Sequence, residues 1–232
     1  MTEWTLEKEI CEIAKKNDII NALHHLGLLT CLTCEFDLLI EEDWKRGGAE
    51  TYIYRFLVKQ KDQAPQHYIV KACVSFHPSR TLSEIIDDWI SKRILLEDYA
   101  VSAPKLVGKG SGLLIEEYIE YNFSEAIKNA HKKPTKSFDQ LLIQLSNYAA
   151  AIYKLGFSYV EPYNDLRSRG EDLVAIDFGQ DLGSCSSEPI YKAETVYADM
   201  ISYLTRIGVK LNDQQSIILR QAFDGIVQIT DS

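Results

Sequence analysis

Little in this 232-residue chain points to a membrane, a secreted framework or a nucleic-acid surface. No apolar run reaches the roughly 18 to 20 residues that a helix needs to span a bilayer. The opening MTEWTLEKEI puts acidic residues where a secretory signal needs a basic start and an apolar stretch. The expectation is therefore a cytoplasmic protein with no membrane partner. Basic residues are in the minority, 25 Lys and Arg against 34 Asp and Glu, and the net charge is -9. Such a chain gains little from releasing counterions, so no nucleic-acid partner is expected. Cysteines are few and odd in number, five in all (Cys11, Cys31, Cys34, Cys73 and Cys185), which argues against a disulfide framework. Cys31 and Cys34 form one CxxC, but no second pair completes four zinc ligands. The five histidines share no metal spacing, and neither repeats nor low-complexity tracts occur.

What is present fits a folded globular protein, 46% hydrophobic and 25% charged, long enough for one large domain or two small lobes. Residues 5–26 carry helical spacing of isoleucine and leucine. Strand-like runs follow at 30–41, 51–59 and 67–76, separated by a glycine pair in KRGGAE and a polar turn in KQKDQAPQ. SRTLSEIIDDWISKRILLEDYA reads as one helix, opened by a capping box of Thr81 and Glu84. Short strands are expected at 105–108 and 112–117. From residue 120 the pattern turns helical: 122–131, then 138–155 with a capping box at Ser137 and Gln140 and a glycine stop at Gly156. A small hairpin at 163–168 and 172–178 precedes two final helices, 192–207 and 212–229. The expected organisation is α+β, with a β-rich region over residues 1–118 and a helix-rich region over 119–232.

The most informative string is LVAIDFGQDLG, residues 173–183. An apolar strand delivers Asp177 to its end, and Phe178 and Gly179 then turn the chain. A carboxylate held there is suited to gripping a divalent metal on a nucleotide phosphate. With the strands and helix that precede it, this string resembles the protein-kinase-like fold, nearest the aminoglycoside phosphotransferase and choline kinase branch in a minimal form. The resemblance covers nearly the whole chain from about residue 30. It implies a two-lobed fold, with a five-stranded antiparallel N-lobe sheet plus one helix and a shortened helical C-lobe.

The same resemblance implies the roles of particular residues. YIVKACV (68–74) looks like the third-strand lysine motif, so Lys71 is expected to meet nucleotide phosphates and to be oriented by Glu84 or Asp88. Gly47 and Gly48 stand where backbone amides would cover those phosphates. LLIEEYIE (113–120) resembles the segment joining the lobes, where Glu117, Tyr118 and Ile119 would bind adenine. Asp177 and Asn164 would hold Mg2+, thirteen positions apart, and ATP is the implied cofactor.

One departure from the family pattern bears directly on function. In GFSYVEPYNDL (156–166), Pro162 and Asn164 fall in place, but Tyr159 stands where a catalytic Asp is expected and Phe157 where a His is. A phenol with an ordinary pKa of about 10 is a poor base at neutral pH. Three readings stay open: binding without transfer, a base role taken by Glu161 or Asp165, or transfer without a strong base. The expected function is an ATP-dependent phosphotransferase with a protein or small-molecule acceptor. The alternative is a pseudokinase, a nucleotide-binding or purely protein-binding regulatory module.

Overall fold

The computed structural model describes residues 21, 24, 25, 27, 36–39, 51–58, 66–73, 80–110, 113–132, 136–179 and 182–228. The chain separates into two compact units, Met1–Asp88 with Lys105–Tyr118, and Trp89–Pro104 with Ile119–Ser232. Helix α1 (Leu82–Glu97) contributes residues to both.

The first unit is built on a sheet of β1 (Phe36–Leu39), β2 (Thr51–Val58), β3 (Gln66–Cys73), β4 (Leu106–Gly110) and β5 (Leu113–Glu117). Its strands lie in the order β1-β2-β3-β5-β4, and every neighbouring pair is antiparallel. In the β3–β5 ladder Lys71 stands opposite Leu114 and Ile69 opposite Glu116. Val70 of β3 and Leu113, Leu114 and Ile115 of β5 are buried, so these two neighbouring strands contribute to the core. Helix α1 opens with reciprocal bonds: the Glu84 amide donates to Thr81 Oγ1 at 3.2 Å, and the Thr81 amide to Glu84 Oε2 at 2.6 Å. Together they satisfy two amide donors at the start of the helix.

The second unit is organised around α3 (Lys136–Lys154), which packs against α4 (Ala193–Arg206) and α5 (Asp213–Gln228). Helix α2 (Phe123–Lys132) packs beside it, and its Phe123 and Ile127 are fully buried. Ser137 lies inside α3, one residue past its start, so the expected cap is displaced. The other end matches a Schellman motif: Gly156 has φ +58°, its amide bonds Tyr153 O, and the Phe157 amide bonds Ile152 O. A Cβ on Gly156 would lie 2.5 Å from the Glu188 carbonyl oxygen, so both conformation and space require glycine.

Strands β6 (Tyr121–Asn122), β7 (Leu166–Arg169) and β8 (Asp172–Ala175) form a second antiparallel sheet in that order. This corrects the architecture expected from the sequence. The five-stranded antiparallel sheet is as expected, but the region expected as a shortened helical C-lobe is not purely helical, so the kinase-like arrangement as a whole is not what is observed. The described residues form an α+β chain with two antiparallel sheets and five bounded helices, and the region expected to be a helical lobe holds a sheet of its own. The physical reason is the brevity of β6: two residues cannot show a period, so Tyr121 and Asn122 read as the approach to a helix. Among the described residues, no helix is long and apolar enough to cross a membrane.

Candidate functional site

In the first unit, chemistry gathers at Lys71. Its side chain is 10% exposed, and its Nζ lies 3.1 Å from Oε2 of Glu116, whose side chain is 2% exposed. The register explains the pair. Glu116 is opposite Ile69, two residues before Lys71, so the two side chains are diagonal neighbours on one face of the sheet. Expected partners on the helix are engaged elsewhere. Glu84 is exposed, and the bonds it accepts from the Thr81 backbone and hydroxyl hold its carboxyl below the usual carboxylate range. Asp88 meets Arg80 at 3.5 Å. Gly47 and Gly48 lie outside the described residues.

The segment expected to bind adenine uses its backbone internally. The Glu117 amide donates to Lys105 O at 2.9 Å, and the Tyr118 amide to His67 O at 3.3 Å. The Tyr118 ring lies 3.9 Å beneath the Arg55 guanidinium carbon and 5.8 Å from the His67 ring. Ile119, in the second unit, is buried.

The second unit brings most of its expected residues together. Residues 156–159 pair with 182–186: Gly183 N bonds Ser158 O, Ser158 N bonds Ser184 O, and Tyr159 bridges Leu182. Buried Tyr148 of α3 ties this segment down by donating to Pro162 O at 3.0 Å. Glu161 adopts φ +49°, a left-handed conformation costly for a residue with a side chain, and Asn164 N closes the turn onto Glu161 O. Glu161, Asp165 and Asp177 then line one narrow niche with Tyr148, Pro162 and Leu182.

Around that turn the polar groups form two connected sets. Tyr159 donates its hydroxyl to Asp199 Oδ2 at 2.7 Å, and its ring lies tilted against that of Tyr191, 4.7 Å between centroids. Burial pushes the Tyr159 phenol well above its ordinary value, and the bond to Asp199 pushes it further. In the other set, Asn164 Nδ2 donates to Glu161 Oε2 at 2.5 Å, and Arg206 Nη2 donates to Asn164 Oδ1 at 2.7 Å. Arg206 Nη1 lies 3.5 Å from Glu161 Oε1. Burial raises Tyr163 well above the usual phenol and brings Tyr203 up to about 12. An open pocket of about 290 Å³ runs along these sets, lined by Tyr159, Glu161, Pro162, Tyr163, Asp199, Ser202, Tyr203 and Arg206.

The oxygens expected to hold magnesium are engaged within the chain. Hard divalent cations take oxygen ligands in number. The Asn164 oxygen already accepts from a guanidinium, and Asp177 Oδ1 accepts from the Gly179 amide at 2.8 Å. Among the described residues, no group of three or more His, Cys, Asp or Glu is arranged to hold a metal.

Sequence reasoning missed Glu116, Lys92, Asp199 and Arg206. Glu116 was within reach, because an acid inside the apolar run LLIEE needs a cation, as Lys71 needs an anion. Lys92, 5% exposed, donates to Phe178 O at 3.2 Å and Leu182 O at 2.6 Å, and so pins both sides of the turn after Asp177. Nothing in the sequence links Asp199 or Arg206 to a turn some 40 residues earlier. No family model matches the chain, and no curated protein matches its sequence.

Proposed function

We propose that the chain is a regulatory binding module that performs no phosphoryl transfer and acts through a protein partner. The observation that carries this reading is Tyr159, which occupies the position of the expected catalytic Asp. It is a protonated phenol donating to Asp199, with its pKa raised away from neutrality. A general base must accept a proton near operating pH, and this group is arranged to keep one. The engagement of Asn164 by Arg206 supports the same reading, because it ties up an oxygen that magnesium would need. A cytoplasmic location accords with the odd cysteine count and the exposed thiol of Cys185.

The competing reading, an ATP-dependent phosphotransferase, rests on the niche that Glu161, Asp165 and Asp177 share, where a carboxylate could replace the missing base. Incubation with γ-labelled ATP, magnesium and cell extract, beside an Asp177→Ala control, separates the two. The binding-module reading expects equal background label in both. Label transfer that disappears with Asp177→Ala would establish the phosphotransferase.

A further inference from the structure

We infer that the pocket between the 159–163 turn and α4 receives an arginine side chain from a partner protein; this deepens the binding-module reading and rests on it. Size sets the class of ligand first. A volume of about 290 Å³ lies at the lower edge of the roughly 300–1,000 Å³ typical of small-molecule sites, so the pocket suits one long side chain better than a nucleotide.

Charge and ring chemistry set its identity. Two carboxylates, Glu161 and Asp199, face one guanidinium, Arg206, which leaves the lining one negative charge in excess. Tyr159, Tyr163 and Tyr203 supply aromatic walls, and a planar guanidinium is the cation that both stacks on such rings and donates in a fork to carboxylate. A carboxylate offers about four acceptor positions, and Tyr159 takes one of those on Asp199.

The pocket already handles a guanidinium in this way. Arg206, on the rim, sits 5.8 Å from the Tyr203 ring centroid while its nitrogens reach Glu161 and Asn164. An incoming arginine repeats that arrangement on the Asp199 side. Arg206 then opposes it by like-charge repulsion, and this repulsion distinguishes an arginine ligand from an anionic or neutral one.

The test titrates N-acetyl-arginine amide into the full chain by calorimetry, with tetramethylammonium and inorganic phosphate as comparison probes. Saturable binding of the arginine probe is expected, weakened at least tenfold by Asp199→Asn and strengthened several-fold by Arg206→Gln. Absence of saturable binding, binding indifferent to Asp199→Asn, weakening by Arg206→Gln, or tighter binding of either comparison probe overturns the proposal. Because the readout is binding rather than label transfer, the proposal can fail while the binding-module reading stands.

Discussion

Two ion pairs, one in each unit, hold their charges in opposite ways. In the first, Lys71 and Glu116 meet inside a sheet, at 10% and 2% side-chain exposure. In the second, Arg206 and Glu161 meet at 53% and 62%, and Asn164 between them is also exposed. A buried ion pair has already lost its water and is costly to separate, whereas an exposed one exchanges partners at little cost. The first arrangement therefore behaves as a structural clamp and the second as a surface that a ligand can rearrange. The sequence suggested the reverse emphasis, with Lys71 as the ligand-binding residue.

Breaking the clamp gives the largest expected effect. Lys71→Met or Glu116→Leu alone leaves a buried charge uncompensated and should cost about 3–5 kcal/mol in urea unfolding. The double variant should recover most of that loss, since an apolar pair replaces the ionic one. A mild effect in both single variants would show that Lys71 is not clamped. Lys92→Met comes next, because it removes a buried donor from the Phe178 and Leu182 carbonyls. A loss of about 1–3 kcal/mol is expected, with faster amide exchange around residue 182. That result would show that the second unit, too, contains a fixed cation below its adaptable surface.

Arg206→Ala should shift stability by less than about 1 kcal/mol, as expected of an exposed pair. A loss comparable to that of Glu116→Leu would erase the distinction between the two pairs. A further effect concerns pH. The folded values of Tyr159, Tyr163 and Tyr203 are raised above the unfolded phenol value of about 10. Their contribution is fully present below about pH 10 and is lost as pH climbs from there through the folded values. Urea midpoints should hold steady to about pH 10 and then fall.

How much could be read beforehand follows from the range of each interaction. The cap of α1 was legible because Thr81 and Glu84 are three residues apart. The stop at Gly156 was legible because a left-handed residue after a long apolar stripe favours glycine. The turn around Glu161, Pro162 and Asn164 was not read as one, since a strand was expected from residue 163 and β7 begins only at Leu166. The pairing of Lys71 with Glu116 depends on strand register, which apolar alternation alone does not determine across β3 and β5. Asp199 and Arg206 reach the turn only because α4 packs on α3, a contact without any local signal. The short strand β6 was hidden for the opposite reason, since it is too brief to leave a pattern.

The claim on which the functional reading depends is that Tyr159 is held as a neutral donor to Asp199. The direct measurement is ultraviolet titration of tyrosinate in the folded chain, compared with Tyr159→Phe to isolate the one residue. The account predicts that Tyr159 ionises above the ordinary phenol value of about 10, and that Asp199→Asn brings it down. Ionisation of Tyr159 near neutral pH would make it a competent base and contradict the account.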